Sequence, residues 1–305
     1  MTYSPAPVLD AHCGGAWTLR PLASSGFCAT WRAEGPAGAL FVKSVPAARA
    51  DALAAEADGL EAIAATRSIA APAVAGFWSD DERDCAVLAM EWLDLVAAPR
   101  ADFGERFGRA LGRLHAAAPA EGAGRFGWRR DNRLGATMQS NRWSADGSLD
   151  GWIAFVAGER LGAMRERLVA RGAPAALAAA IDRVVALLPD LFDDGHVPRP
   201  SLVHGDLWSG NWGSLRDGTA VVYDPAVSVS DAEAELAMVE LFGAPPRGFW
   251  PAYAEVAGVA PGYPRRRPLY QLYHLLNHEL LFGGYARPAM DAVERLCAGS
   301  RRARP

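Results

Sequence analysis

Residues 201–224 read SLVHGDLWSGNWGSLRDGTAVVYD. Inside this stretch His204, Asp206 and Asn211 stand in the spacing H-x-D-x4-N. An Asp217-Gly218 turn then leads through the β-branched run Val221-Val222-Tyr223 to Asp224. An aspartate in a polar loop can accept the proton of a substrate hydroxyl, while an asparagine and a second aspartate offer hard oxygen ligands to Mg²⁺. Either acid alone would pass for a surface carboxylate. All three in this order, around a strand, a loop and a hairpin, describe a phosphotransferase centre. Asp206 is its predicted base, and Asn211 and Asp224 are its predicted metal ligands.

Such a centre needs a lobe that holds nucleotide phosphates, and the N-terminal part of the chain has the pattern for one. Residues 17–22 and 28–33 read as short strands around a turn of small residues, and 39–43 as a third strand after Gly35-Pro36-Ala37-Gly38. Lys43 closes the apolar run Leu40-Phe41-Val42. A lysine in that place reaches the ATP phosphates and pairs with a glutamate from the next helix. Residues 51–63 carry Leu53, Ala57 and Leu60 at helical spacing and are rich in alanine. Glu56 borders the inward face of that helix and is the predicted partner of Lys43, whereas Glu61 points outward. The first turn contains Gly26 but not the full G-x-G-x-x-G, so its small residues are what would let backbone N–H groups approach phosphates. The run at 85–90 reads as a buried strand ending on Glu91-Trp92-Leu93. That is the expected hinge, with the backbone of Glu91 and Leu93 holding the adenine. The N-lobe is therefore residues 1–92 and the C-lobe 93–305.

The second part of the chain reads as mainly helical. Residues 103–115 place Phe103, Phe107, Leu111 and Leu114 on one face, an amphipathic helix that ends on a capping or core histidine, His115. Residues 119–151 are an irregular mixture of Gly, Asn, Arg, Trp and Asp. Amides and tryptophans suit a polyhydroxylated ligand, although a purely structural excursion reads equally well. Helices are expected at 152–171 and 175–192. Ser230-x-x-Glu233 has the capping-box pattern and opens the helix that follows, which explains Asp231 and Glu233 as helix-start residues. Asp224 precedes Pro225, so the chain is expected to leave extended. A long, largely buried helix covers 269–282, where Asn277 and His278 read as core polar groups, and Gly283-Gly284 stops it.

Composition narrows the class further. With 305 residues, 50% hydrophobic and 22% charged, this is an ordinary globular chain long enough for two lobes around a cleft. A formal net charge of −4 gives no electrostatic reason for a nucleic-acid partner or an anionic membrane surface, and the Arg265-Arg266-Arg267 run reads as solvated. Cys13, Cys28, Cys85 and Cys297 contain no C-x-x-C pair, which argues against a zinc site or a disulfide scaffold. No apolar run reaches the ~18 residues of a membrane span. The N-terminus lacks the pattern of a signal peptide. A cytoplasmic monomer is the expectation.

Four stretches together resemble the fructosamine/ketosamine-3-kinase family: HGDLWSGN at 204–211, DPAVSVSDAEAELAMVELFG at 224–243, RPLYQLYHLLNHELLFGGY at 267–285 and FGWRRDNRLGATMQSNRW at 126–143. The resemblance implies an α+β, bilobal protein-kinase-like fold, shared with aminoglycoside phosphotransferases, with a small antiparallel-sheet N-lobe and a larger helical C-lobe. It implies transfer of the ATP γ-phosphate, with Mg²⁺, to the 3-hydroxyl of ketoamines formed when sugars glycate amines, a deglycation role. By the same resemblance Trp208 and the 131–143 loop border the sugar, with His204, Asn132 and Asn141 as further substrate contacts. Glu235 stands where the family has aspartate, a change of small expected consequence at a helix start, and 144–150 resembles a small insertion. A kinase for aminoglycosides or other small alcohols, and a catalytically silent binding protein of the same fold, are the competing readings.

Overall fold

In a computed structural model, which describes residues 4–24, 27–36 and 38–301, the short strand-like runs of the first part become one antiparallel sheet. Its strands are β1 (Thr18–Ser24), β2 (Ala29–Gly35), β3 (Gly38–Val45), β4 (Val74–Asp80) and β5 (Cys85–Glu91), in the order β1-β2-β3-β5-β4. Gly26 lies outside the described residues. β5 is buried along almost its whole length because both of its faces are covered. Cys85, Val87 and Ala89 meet Val8 and Leu9 of helix α1 (Ala6–Cys13). Ala86, Leu88 and Met90 meet Leu53, Ala57 and Leu60 of α2 (Ala50–Ala65). A strand wrapped in this way reads as a continuous apolar run, as 85–90 does. The short helix α1 had no signal in the sequence reading.

The remainder is mainly helical. Helix α3 (Phe103–Ala116) packs against α8 (Phe249–Ala257) closely enough that only glycine fits at the contact. A Cβ on Gly104 would sit 2.1 Å from the Arg247 carbonyl oxygen, and one on Gly108 would sit 2.4 Å from that of Phe249. The 119–151 stretch is more ordered than its composition suggests. It holds the hairpin β6 (Asn132–Leu134) and β7 (Thr137–Gln139) and ends in the Ser148 cap of α4 (Leu149–Phe155). The expected 152–171 helix is interrupted: α4 passes through a π-helical stretch, Val156–Gly162, into α5 (Ala163–Ala170). α6 covers Ala175–Leu187.

Four short strands carry the catalytic segment. β8 (Ser201–Val203) pairs with β11 (Ser228–Ser230), and β9 (Trp212–Ser214) pairs with β10 (Ala220–Val222). Behind them lie α7 (Ala232–Leu241), α9 (Tyr263–Phe282) and α10 (Ala286–Arg301). α8 and α10 were also unanticipated.

The arginine run at 265–267 is not a solvated patch. Arg266 is fully buried and makes a bidentate pair with Glu233, Nε to Oε2 at 2.7 Å and Nη2 to Oε1 at 2.9 Å, while Nη1 reaches Asp194 at 2.6 Å. Arg265 pairs with Asp193, and Arg267 with Glu240. The N-cap of α7 is Asp231 rather than Ser230, so Glu233 is released from a capping role to tie α7 to α9. Removing one partner of a buried pair leaves the other charge uncompensated. Arg266→Ala is therefore expected to lower unfolding free energy by about 3–5 kcal/mol, read by urea denaturation.

Candidate active site

β8 delivers the chain into His204-Gly205-Asp206, and one side chain fixes the shape of that turn. Glu235, on α7 and fully buried, accepts the backbone N–H of His204 through Oε2 and that of Gly205 through Oε1, both at 2.8 Å. Its third donor is His115 Nε2 at 3.1 Å, and the other ring nitrogen of His115 meets the Tyr253 hydroxyl at 2.9 Å. Burial pushes the Glu235 carboxyl up, but the hydrogen bonds and charge of His115 and the His204 amide outweigh it and hold its pKa below the ordinary value. The residue expected to matter little is thus the anchor of the catalytic loop. His115 is the core histidine that was expected.

Gly205 adopts a φ of 85°, and a Cβ there would lie 2.1 Å from the Ala226 carbonyl oxygen, so no other residue fits. His204 is buried. Its Nε2–H donates to the Tyr223 carbonyl at 2.9 Å, and its Nδ1 accepts the Asp206 amide at 3.3 Å. Burial pulls its pKa down, which suits the neutral ring those two bonds require. His204 shapes the loop, with both ring nitrogens engaged within the protein.

The charged groups converge across the cleft. Lys43 Nζ lies 2.7 Å from Glu56 and 2.8 Å from Asp224 Oδ1, which joins the sheet to the catalytic segment. Burial alone would lower the Lys43 pKa; the Glu56 and Asp224 carboxylates outweigh it and raise it, so the ammonium stays charged. Asp224 does not leave extended: its φ is 60°, in the left-handed region. Aspartate tolerates that region better than most residues. Asn211 donates from Nδ2 to the Asp206 carbonyl oxygen at 2.8 Å, leaving Oδ1 as its available oxygen. Burial, with Asp224 and Glu235 nearby, pushes Asp206 up to about 7. A carboxyl poised there can exchange a proton near neutral pH.

These residues line a cleft of about 700 Å³, together with Trp208, Arg49 and Arg133. The two arginines each lie over the Phe27 ring at 5.6 Å, and sequence reasoning had not singled them out. At the hinge, the Glu91 N–H donates to the Ala73 carbonyl and the Leu93 carbonyl accepts from Leu95. Among the described residues no backbone hydrogen bond takes the Leu93 N–H, so of the two hinge residues it is the one with a free donor. Trp208 is 40% exposed and meets Phe242 edge-on. Phe242 in turn contacts His278, whose ring lies against Phe282, so an aromatic wall flanks the cleft.

The amides of Asn132, which lines the cleft, and of Asn141 are engaged within the protein. Asn132 is engaged with the Val227 carbonyl and with Gln139, and Asn141 with Arg160 and the Arg130 carbonyl. Both are buried and pack the catalytic segment, while Arg133, Gly135 and Ala136 of the same hairpin line the cleft. Asn277 is also a core group, donating to the Leu134 carbonyl.

The fructosamine kinase family model matches residues 18–298. The chain belongs to the fructosamine kinase family. Among curated members of known sequence it is 40% identical to a probable ketoamine kinase of Synechocystis sp., over 84% of this chain and 82% of that protein. It is 36% identical to a chloroplastic protein-ribulosamine 3-kinase of Oryza sativa subsp. indica, over 85% and 72%. The crystal structure of a candidate fructosamine-3-kinase from Thermobifida fusca superposes with a TM-score of 0.83 at 32% identity, covering 99% of this chain and 100% of that one. An aminoglycoside phosphotransferase solved with AMP-PNP and hygromycin B has the same fold, with a TM-score of 0.67 at 15% identity over 99% of each chain. The fold is thus bilobal and kinase-like, and this family member is a phosphotransferase.

Two consequences are open to measurement. An amide at Glu235 has one acceptor oxygen for three donors, so Glu235→Gln is expected to destabilise the protein by about 1–3 kcal/mol, read by denaturant unfolding. Asp206 has a folded-state pKa raised from 3.8 to about 7, so its carboxylate opposes folding increasingly as pH rises through that window. In metal-free buffer Asp206→Asn should therefore be the more stable protein at pH 8, by roughly 1–3 kcal/mol, with the gap closing towards pH 4.

Proposed function

We propose that this kinase transfers the γ-phosphate of ATP to the 3-hydroxyl of a ketosamine, a sugar-amine adduct of the fructosamine or ribulosamine type, and so begins deglycation. The observation that carries the reading is the meeting of Asp206, Asn211, Asp224 and Lys43 on one cleft flanked by the Trp208 wall. The family and the names of the relatives supply the substrate class.

In this reading the sheet lobe, 1–92, and the helical lobe, 93–305, enclose the nucleotide. The Leu93 N–H would meet the adenine. Lys43, oriented by Glu56, would hold the phosphates, with Arg49 and Arg133 drawing the anionic nucleotide in. The oxygen donors fit Mg²⁺: the Asp224 side chain is 47% exposed to the cleft, and Asn211 has its Oδ1 available. Asn211 and Asp224 would hold the ion, which would neutralise charge on the phosphates. Asp206 orients the acceptor hydroxyl and takes its proton as the oxygen bonds to phosphorus and the ADP oxygen leaves. Trp208 would cover the sugar face. Every group comes from one copy of the chain, so a monomer suffices, and the ATP supply makes the cytoplasm its compartment.

The test is an ADP-release assay with ribulose-lysine, fructose-lysine and kanamycin as acceptors. Transfer to a ketosamine and none to kanamycin is expected, and the reverse preference would sink the assignment. Asp206→Asn should lower kcat by ~10² or more with ATP affinity retained, as for other lost general bases.

A further inference from the structure

Helix α2 packs on the sheet, yet it is also gripped from the helical side, and its residues divide by the 3.6-residue period into three faces. Leu53, Ala57 and Leu60 lie on β5. Glu56 and Gly59 turn towards the catalytic segment. Glu56 reaches Lys43 at 2.7 Å, and a Cβ on Gly59 would sit 3.1 Å from Pro225 and 3.2 Å from Val227. The third face carries Asp51 and Asp58, two turns apart, and both reach residues 129–133 at the start of the β6–β7 hairpin. Asp58 receives two guanidiniums, Arg129 Nη2 on Oδ1 at 3.0 Å and Arg130 Nε on Oδ2 at 2.8 Å. Asp51 pairs with Arg133 at 3.1 Å.

The aim of Glu56 depends on how α2 is rotated about its own axis. The Lys43–Glu56 pair is buried, and a buried pair is favourable only in good geometry, because a partner left alone is an uncompensated charge. Apolar contact with β5 is non-directional, so it presses the helix onto the sheet but specifies its rotation less sharply than a charge-assisted bond. Gly59 has no side chain to key the helix against Pro225. Asp58 stands about 200° around the helix from Glu56, two residues on at roughly 100° each. A roll that carried Glu56 away from Lys43 would therefore draw Asp58 off both guanidiniums. Two arginines on one carboxylate hold the opposite flank of the helix and resist that roll.

We infer that Asp58 is a positioning residue for phosphoryl transfer: held by Arg129 and Arg130, it sets the rotation of α2 and with it the aim of Glu56 on Lys43. Asp58 does not line the cleft, so it acts on the nucleotide only through that pair. The inference rests on the reading of Lys43 and Glu56 as the groups that hold the phosphates.

A double-mutant cycle on Mg²⁺–ATP affinity, read by titration calorimetry with no acceptor present, tests it. Asp58→Ala should weaken binding about 3- to 10-fold, the range for one net hydrogen bond. Its thermal midpoint should stay near that of the wild type, because the two arginines are 39% and 45% exposed and such ion pairs add little stability. Glu56→Gln should weaken binding at least as much, and adding Asp58→Ala to it should cost nothing further. The double variant Arg129→Ala/Arg130→Ala should reproduce Asp58→Ala, and it carries the same cycle if Asp58→Ala does not fold. Wild-type affinity in Asp58→Ala, or losses that multiply when it is combined with Glu56→Gln, would overturn the positioning role and leave the phosphate-holding reading standing. Wild-type affinity in Glu56→Gln would remove both.

Discussion

A single buried carboxylate gives the catalytic loop its form. Two consecutive backbone N–H groups, those of His204 and Gly205, point into the protein rather than into a strand ladder. Glu235 receives both and is itself steadied by His115. With those amides fixed, Gly205 can pass under the Ala226 carbonyl and Asp206 emerges towards the cleft. Three elements far apart in the chain, α3, β8 and α7, therefore meet at one acid. An unsatisfied buried amide would cost about 1–3 kcal/mol each, so the loop has little freedom to adopt another shape.

Against that rigid support the cleft itself is kept under tension. Asp206 and Asp224 share one cavity, where the Asp224 charge adds to burial in raising the proton affinity of Asp206, with Lys43 as the counter-charge to Asp224 and Glu56. Asp224 is further held in a left-handed backbone conformation that a non-glycine residue adopts only when its surroundings insist. Repulsion and strain of this kind fit a site whose natural occupant brings a cation and phosphates to balance the charge.

Much of this was legible in the sequence. Short apolar runs and turn residues marked β1, β2, β3 and β5 of the sheet, and the alanine-rich stripe marked α2, because each answers to a local geometric rule. The spacing of Asp206, Asn211 and Asp224 disclosed the chemistry. What stayed hidden depends on tertiary partners that no local pattern names. Glu235 and Glu233 share one helix start, yet one anchors backbone amides and the other pairs with a buried arginine. His204, Asn132 and Asn141 were assigned to substrate by resemblance, whereas each is hydrogen-bonded within the protein. Composition could not tell Arg266, sealed between helices, from its more exposed neighbours in the run.

The close crossing of α3 and α8 carries an implication for how the protein is made. Gly104, Gly108 and Gly112 are each about 1 kcal/mol less favourable in a helix than alanine, so α3 is weak in isolation and gains its order from contact with α8. α8 is encoded well over a hundred residues downstream. While the chain is still leaving the ribosome, α3 is thus a poor platform for His115, and the loop that depends on it waits for the last third of the polypeptide. Catalytic competence on the nascent chain arrives late, set by the translation of the helices that close over those glycines.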